Sequence, residues 1–167
     1  MKKKPILVVM VGYPGSGKTY FSEKLAKKNG FVHLNSDKVR SELFKVPTFS
    51  KKEHALVFGS IDEQLKSFLS KGVSVIIDAN SPRRSQRKAL RDLATQYGAH
   101  CITVHVRTPF PVTRDRVRAR KDIRSTAKRA YNRVVTLKVH KYLKDLLEEP
   151  KLPEQFLTID GRKSFRE

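Results

Sequence analysis

The sequence predicts an α/β fold with three layers, in which a central parallel sheet of about five strands is covered by helices on both faces. Short apolar runs rich in β-branched residues alternate along the chain with helical patterns, as expected when helical crossovers join parallel strands. A glycine-rich segment at residues 12–19 separates the first apolar run from the first helical pattern. The length of 167 residues favours a single domain over residues 1–167.

The glycine-rich segment reads Gly-Tyr-Pro-Gly-Ser-Gly-Lys-Thr, which has the spacing G-x-x-x-x-G-K-[ST] of a P-loop. Backbone N–H groups of such a loop converge on an anion at the positive end of the following helix. Lys18 would bind the β- and γ-phosphates of ATP, and the Thr19 hydroxyl would bind Mg²⁺. We therefore predict a P-loop NTPase fold, rather than a glycine-rich turn alone. The predicted ATP-binding residues of the loop are Gly12, Gly15, Ser16, Gly17, Lys18 and Thr19.

Between residues 19 and 71, turn residues separate the predicted elements. The first helix covers residues 19–29 and stops at Gly30, and a short buried strand follows at 31–34. Capping residues at 35–37 open a short helix through Val39 and Leu43, and a loop covers 45–50. A long helix over 50–71 has one apolar side, formed by Ala55, Phe58, Ile61, Leu65, Phe68 and Leu69.

The second half of the chain continues the alternation. A β-branched strand covers residues 73–77, and Ser81 and Pro82 predict an N-cap and first position of a helix that ends near Gly98. A strand follows at 100–106, and Pro109 opens the next helix. The remaining predicted elements are a final helix over about residues 127–147 and a last strand at 156–160.

The chain is strongly basic, with 36 Lys and Arg against 16 Asp and Glu and a formal net charge of +20. This charge predicts a polyanionic partner, DNA or RNA first and an anionic membrane second, although a general surface bias remains the alternative. Cys101 is the single cysteine, which excludes a disulfide framework and a cysteine-rich zinc site. Apolar stretches are too short to span a membrane. We expect a cytoplasmic protein without membrane association and infer no obligate protein partner.

Two acidic positions follow predicted strands, at the sheet edge where α/β proteins bind ligands. Asp37 could accept a proton from an attacking hydroxyl, and Arg40, three residues later, could bind an acceptor phosphate. The alternative is that Asp37 interacts with the helix dipole and pairs with Arg40 at the surface. Asp78 is a Walker B-like carboxylate for Mg²⁺, and it could also cap the helix that follows.

A series of arginines follows Pro109 and suggests a helical lid at approximately residues 114–130. Transferred phosphoryl groups need positive charge from several directions, which a helix-borne lid can supply. Arg116 and Arg120 are four residues apart and therefore share a helical face. The alternative is a solvated basic face. The series comprises Arg114, Arg116, Arg118 and Arg120.

These features together resemble the kinase domain of 5′-hydroxyl polynucleotide kinases, within a wider group of P-loop kinases that includes zeta-toxin-like and chloramphenicol-phosphotransferase-like enzymes. The resemblance extends from Ile6 to about Tyr142. It is carried by the P-loop at 12–19, Asn-Ser-Asp-x-x-Arg at 35–40, Ile-Ile-Asp-Ala-Asn at 76–80 and Arg-Val-Arg-Ala-Arg at 116–120. The Asp-x-Asp-Gly-Thr phosphatase motif of the bifunctional enzymes does not occur, so the resemblance implies kinase activity alone.

The resemblance also implies roles for individual residues. Asp37 would be the catalytic base, Lys18 and Thr19 would bind ATP phosphates and Mg²⁺, and Arg40 would contact a phosphate of the acceptor. Asp78 would support the metal. Arg116 and Arg120 would reach the ATP phosphates from the lid, which makes Arg120 a third catalytic candidate beside Asp37 and Lys18.

Three functional hypotheses follow from the charge and the motifs. The first is an ATP-dependent kinase that phosphorylates a hydroxyl of DNA or RNA, most simply a 5′-hydroxyl, with a modified-base hydroxyl as a variant. The second is a kinase of a nucleotide sugar, an antibiotic or a nucleoside, for which we expect little dependence on salt. The third is a nucleic-acid-binding NTPase that releases phosphate without labelling an acceptor.

Overall fold

The computed structural model describes residues 4–122 and 135–165, and the side chains of residues 120–122 lie outside that description. Its centre is a five-stranded sheet with the strand order β2-β3-β1-β4-β5. All four strand pairings are parallel, which confirms the predicted fold class. The strands are β1 (Ile6–Val11), β2 (Val32–Asn35), β3 (Val75–Asp78), β4 (His100–Arg107) and β5 (Phe156–Asp160).

Helices connect the strands as predicted for parallel crossovers. The first begins directly after Gly17 and ends at Gly30, whose φ of 66° is the left-handed conformation that favours glycine. No helix within residues 4–122 and 135–165 combines the length and the apolar character that crossing a bilayer requires. The helices are α1 (Lys18–Asn29), α2 (Ser36–Leu43), α3 (Lys51–Ser70), α4 (Arg84–Gln96), α5 (Phe110–Asp122) and α6 (Leu137–Asp145).

The alternating side chains of β1 show how the layers form. Leu7 and Val9 pack into the cluster formed with α3 and α4 on one face of the sheet. Val8 and Met10 pack into a second cluster, with residues of α1, on the other face. Because successive side chains of a strand point to opposite faces, a continuous apolar run such as β1 is the pattern of a strand covered on both sides.

The apolar side of α3 differs from the predicted one at its first residue. The buried stripe consists of Val57, Ile61, Leu65 and Leu69, at intervals of four residues. Ala55 is exposed because it lies off this stripe, so its assignment to the apolar side is wrong. The stripe begins one turn earlier at the buried Glu53, a position that apolar patterning could not identify.

Two predicted helix boundaries are also wrong. Helix α4 begins at Arg84 and not at Ser81–Pro82. The carbonyls of Ser81 and Pro82 instead accept hydrogen bonds of 3.1 and 2.9 Å from the guanidinium of Arg87, which holds this segment outside the helix.

The final helix begins at Leu137, where the Thr136 hydroxyl accepts a hydrogen bond from the Val139 N–H. Thr136 itself has extended backbone geometry, so the predicted helix over 127–147 does not run continuously through this position. The part of that prediction at residues 127–134 lies outside the described residues.

The parallel sheet places the carboxyl ends of its strands along one edge. Asn35 at the end of β2 is in register with Asp78 at the end of β3. Strand β1 lies between β3 and β4 in the sheet, and the P-loop follows the end of β1. Segments that are distant in sequence therefore meet at this edge, where open α/β sheets bind their ligands.

Candidate nucleotide and acceptor site

The P-loop backbone forms a cradle that only glycine permits. Gly15 and Gly17 have φ angles of 83° and 107°, in the region that side chains strongly disfavour. A Cβ atom on Gly15 would lie 2.7 Å from the Thr113 carbonyl oxygen. The Ser16 hydroxyl is buried and has no hydrogen-bond partner among the described residues. These features fit a loop that approaches the phosphates of a nucleotide with its backbone.

Lys18 extends along the inside of this loop. Its Nζ donates hydrogen bonds to the carbonyl oxygens of Gly12, at 2.8 Å, and Tyr13, at 3.0 Å. The ammonium group also contributes to lowering the pKa of Asp78, which places its charge near the end of β3. Lys18 is thus held where a phosphate bound in the loop would meet its charge.

Asp78 is a buried carboxylate supported by its neighbours. Its Oδ2 accepts a hydrogen bond of 2.7 Å from Asn35 Nδ2 and lies 3.1 Å from His33 Nε2. Burial raises the pKa of Asp78, but the hydrogen bond to His33, the charge of Lys18 and the Thr19 hydroxyl together hold the pKa below its usual value. Asp78 is therefore ionised at neutral pH.

The side chains near Asp78 suit an Mg²⁺ ion that is also bound by phosphates and water, and they do not suit a metal bound by protein groups alone. Within the described residues, no group of three or more His, Cys, Asp or Glu side chains is arranged to hold a metal. Mg²⁺ usually binds one or two carboxylates together with substrate phosphates and water. Asp78 and the neighbouring Thr19 hydroxyl fit that requirement.

The start of α2 brings Asp37 to the same place. Asn35 is the N-cap of the helix, and its Oδ1 accepts hydrogen bonds from the N–H groups of Asp37, at 3.0 Å, and Lys38, at 2.9 Å. The capping function predicted for residues 35–37 is thus confirmed at Asn35. Asp37 lies in the first turn and lines the pocket next to the P-loop, and its catalytic role remains a prediction.

Arg40 is buried, with 5% of its surface exposed. Its Nη1 donates to Glu53 Oε1, and its guanidinium lies 4.8 Å from the centre of the Phe49 ring. Arg40 is therefore not at the surface, as the alternative assumed, because it is buried and pairs with an interior carboxylate on α3. Arg40 still lines the pocket, where its contact with an acceptor phosphate remains a prediction.

Glu53 is a site residue that the sequence interpretation missed. Its Oε2 accepts hydrogen bonds from the Thr48 N–H at 2.7 Å, the Thr48 hydroxyl at 2.8 Å and the Phe49 N–H at 3.1 Å. Burial opposes ionisation of Glu53, but the bonds from Arg40, Thr48 and Phe49 lower its pKa to about 2. The spacing Ser50-x-x-Glu53 is that of a capping box and could have drawn attention to this residue.

One pocket, with a volume of about 310 Å³, contains most of the predicted site. The P-loop forms one wall, the start of α2 forms another, and the rings of Phe49, His54 and Phe58 form a third. A carboxylate that could serve as base therefore lies in the same cavity as the phosphate-binding loop. The predicted site residues that line it are Gly15, Gly17, Lys18, Thr19, Asp37, Arg40 and Asp78.

The arginines of the predicted lid are only partly described. Arg116 Nη1 donates hydrogen bonds to the carbonyl oxygens of Gly15, at 3.2 Å, and Gly161, at 3.0 Å, so its guanidinium contacts the P-loop backbone. Arg114 is half-buried and Arg118 is exposed. Arg120 belongs to α5, but its side chain and the lid residues 123–130 lie outside the described part of the chain.

His140 on α6 is a second residue that the sequence interpretation missed. It is fully buried, and its ring stacks on Phe110 with 4.8 Å between the ring centres. Burial lowers the pKa of His140, although the nearby carbonyl of Pro14 in the P-loop acts in the opposite direction. The segment after the predicted lid is thereby packed against the phosphate-binding loop. A lone histidine in a basic helical pattern gave no signal of this contact.

The fold and this site together place this domain among proteins of the P-loop kinase type. A family model described as an AAA domain matches residues 7–150. The chain belongs to that family.

Curated relatives in this group act on different acceptors. The chain is 33% identical over 108 residues to a protein named as a bifunctional polynucleotide phosphatase/kinase of Acanthamoeba polyphaga mimivirus, a match that covers 64% of this chain and 22% of that protein. It is 30% identical over 159 residues to an adenylyl-sulfate kinase of Microcystis aeruginosa, which covers 92% of this chain and 82% of the relative. The chain thus spans less than a quarter of the first relative and most of the second.

Among solved structures, an APS kinase of Mycobacterium tuberculosis superposes with a TM-score of 0.62. The match covers 95% of this chain and 91% of that one at 22% sequence identity. This likeness supports the three-layer α/β fold.

Proposed function

We propose that this protein transfers the γ-phosphate of ATP to the 5′-hydroxyl of a DNA or RNA strand. The observation that carries the proposal is that Asp37 lines the same pocket as Lys18 and the buried, ionised Asp78. A potential base, a phosphate-binding lysine and a metal-binding carboxylate are the groups that phosphoryl transfer to an alcohol requires.

In the proposed reaction, ATP would supply the phosphoryl group, and Mg²⁺ would neutralise charge on its oxygens. Lys18 exchanges its bonds to the loop carbonyls for bonds to the β- and γ-phosphates. Asp37 orients the acceptor hydroxyl and takes its proton as the new O–P bond forms and the bond to the β-phosphate oxygen breaks. Asp78 and Thr19 would hold the metal.

The proposal gives the basic side chains two different tasks. Arg116 and Arg120 of α5 bind the ATP phosphates and stabilise the charge that develops on them. Arg40 contacts the phosphate of the acceptor nucleotide through the part of its guanidinium that faces the pocket.

The net charge of +20 supports a polymeric acceptor. A protein that contacts several phosphates releases counterions from the nucleic acid when it binds. This release is less favourable at higher salt concentration, so binding weakens as salt increases. The mimivirus relative, whose printed name includes a polynucleotide kinase, supports the same acceptor class. The chain spans 22% of the length of that relative.

A small nucleotide is the second candidate acceptor. The adenylyl-sulfate kinase of Microcystis aeruginosa matches nearly the whole of this chain, which favours an acceptor of that size. The rings of Phe49 and Phe58 offer apolar surfaces for a base in the pocket. This candidate predicts turnover that depends little on salt.

The test is phosphoryl transfer from γ-labelled ATP in the presence of Mg²⁺. The acceptors are 5′-hydroxyl DNA and RNA oligonucleotides, the same strands already 5′-phosphorylated, and adenylyl sulfate. Label on the 5′-hydroxyl strands alone supports the proposal. Label on adenylyl sulfate alone supports the second candidate. Phosphate release without labelled acceptor would indicate a nucleic-acid-dependent NTPase, and no turnover with bound ATP would direct the search to modified bases in DNA.

A further inference from the structure

We propose that the connection between α2 and α3, together with the first two residues of α3 (residues 44–52), is a docking surface for single-stranded nucleic acid. It binds the nucleotides that follow the one being phosphorylated. This inference rests on the proposed polynucleotide kinase function, and it adds where the rest of the acceptor strand lies. Residues 44–52 are called the connecting surface below.

The pocket itself accommodates only the end of a strand. Its volume of about 310 Å³ is at the lower end of the range for a single small ligand, and the P-loop forms one of its walls. Arg40, the predicted phosphate ligand on the acceptor side, is buried, and its charge is neutralised by Glu53. Further phosphates of the acceptor must therefore be bound by cations outside the pocket.

The connecting surface supplies such cations. Lys45, Lys51 and Lys52 are all exposed, and they form no ion pair with another described residue. In contrast, the exposed Lys66 and Lys88, elsewhere on the helices, pair with Asp62 and Asp92. The connecting surface thus has uncompensated positive charge.

The connecting surface also continues directly from the pocket. Phe49, between these lysines in the sequence, forms part of the pocket wall and is 36% exposed at its mouth. Val46 is 82% exposed and Leu43, just before the connection, is 48% exposed. Surfaces that bind single strands combine cations along the backbone with aromatic side chains on which bases stack. Phe49 offers such a ring, and Val46 and Leu43 add apolar contact area beside it. In a duplex the faces of the bases are stacked on one another and cannot contact such side chains. The combination of lysines with exposed apolar side chains therefore favours a single strand.

The conformation of the connecting surface is set before any ligand binds. Three hydrogen bonds from Thr48 and Phe49 to the buried Glu53 carboxylate hold its centre. Phe49 has a φ of 57°, which is uncommon for a bulky side chain and persists only where surrounding contacts determine it. A loop fixed in this way loses little conformational entropy when a ligand binds.

The test compares two triple variants that remove the same charge. Lys45→Ala/Lys51→Ala/Lys52→Ala changes the connecting surface. The control is Lys24→Ala/Lys27→Ala/Lys71→Ala, which changes exposed lysines on α1 and at the end of α3. Both helices end at the edge of the sheet where the strands begin, opposite the edge that carries the pocket. Helix α3 has 20 residues, so Lys71 lies about 30 Å from Lys51.

The acceptors are a nucleoside 3′-monophosphate and a single-stranded 5′-hydroxyl oligonucleotide of about ten nucleotides, a length within the range of single-strand binding sites. For the connecting-surface variant we expect KM for the oligonucleotide to increase by about 10-fold or more. The slope of log KM against log salt concentration should decrease by about 2, because three phosphate contacts are lost. KM for the mononucleotide and kcat should stay within about twofold, and the control should behave as wild type.

Equal effects of the two triple variants, or an unchanged KM for the oligonucleotide, would overturn the inference. Binding of the wild type to phosphatidylserine vesicles that is lost only in the connecting-surface variant, with an unchanged oligonucleotide KM, would assign this surface to membranes instead. A wild-type protein that labels no oligonucleotide contradicts the proposed function itself, and that result is visible before any variant is made.

Discussion

The Nδ2 group of Asn35 donates a 2.7 Å hydrogen bond to Oδ2 of Asp78 and so joins the carboxyl ends of β2 and β3. The Oδ1 atom of the same side chain accepts hydrogen bonds from the N–H groups of Asp37 and Lys38. One amide therefore orients the candidate metal carboxylate and begins the helix that carries the candidate base. The two carboxylates of the site are positioned relative to each other by a neutral side chain.

The two functions of Asn35 can be separated by substitution. Asn35→Ser keeps an oxygen that can cap α2 but removes the donor to Asp78. Asn35→Asp also keeps the cap but places a second carboxylate beside Asp78, which raises the pKa of one of the pair. We expect transfer to fall by about 10–100-fold in Asn35→Asp, with a higher Mg²⁺ requirement, and less in Asn35→Ser. Initial rates against Mg²⁺ concentration measure this. Equal rates in the two variants would contradict the expected repulsion between the introduced carboxylate and Asp78 in Asn35→Asp, and a wild-type rate in Asn35→Ser would contradict the importance of the hydrogen bond to Asp78.

Lys18→Ala should abolish measurable phosphoryl transfer and leave the fold intact. The side chain lies outside both apolar clusters of the core, so its removal should cost little folding free energy, whereas its charge is needed on the phosphates. We expect kcat to fall by at least about 10²-fold with a similar Tm. Lys24→Ala, an exposed position on the same helix, is the control. Near-normal turnover in Lys18→Ala would refute the P-loop assignment.

Asp37→Asn tests the catalytic base. The N–H of residue 37 bonds to Asn35 in either case, so α2 should be retained and ATP should still bind. General base catalysis is typically worth about 10²–10⁴-fold, and transfer should decrease by that factor. Single-turnover transfer and a separate ATP-binding measurement distinguish the two steps. A loss of only a few-fold would leave Asp37 with a role at the helix start alone.

Arg87→Ala should destabilise the fold strongly. Arg87 is fully buried and donates two hydrogen bonds, at 3.0 and 2.9 Å, to the buried Glu154. Removing one partner of a buried ion pair costs about 3–5 kcal/mol. Glu154 keeps a second, partly exposed partner in Arg91, at 3.2 Å, so we expect the lower end of that range. The neighbouring Lys88→Ala, which removes an exposed pair with Asp92, should cost less than about 1 kcal/mol. Urea denaturation of both variants measures the difference, and similar values would contradict the structure.

His140 should make the stability of the protein depend on pH. Burial lowers the pKa of His140 below the 6.5 expected for the unfolded chain, so the unfolded state binds the proton more tightly. Its contribution is complete above pH 6.5 and is lost as the pH falls towards the folded-state pKa. His140→Phe, which can retain the stack on Phe110, should lose this part of the dependence.

The comparison requires Tm measured from about pH 8 to pH 5 for wild type and variant. Burial also lowers the pKa of His105, which therefore contributes in both proteins. The Tm difference between wild type and His140→Phe should change in favour of the variant as the pH decreases. A constant difference would mean that His140 does not titrate in this range.

Much of the fold could be predicted because its signals are local. The P-loop spacing, the stop at Gly30 and the cap at Asn35 each depend on a few consecutive residues. Carboxylates that follow buried strands were assigned to the same edge because parallel strands bring their carboxyl ends together. The predicted start of α4 was wrong because it depends on a side-chain contact that local spacing does not show. The guanidinium of Arg87 binds the Ser81 and Pro82 carbonyl oxygens, and these two residues remain outside the helix.

The sequence by itself determined the α/β class, the phosphate-binding loop and the carboxylates at the strand ends, since local spacing specifies them. Only the tertiary structure decided which charges are buried. Arg40 pairs with Glu53 13 residues away, and Arg87 pairs with Glu154 67 residues away. A basic residue in a helical pattern looks the same whether it faces water or an interior carboxylate. The difference in free energy arises from desolvation and from a partner that only the folded chain brings into contact.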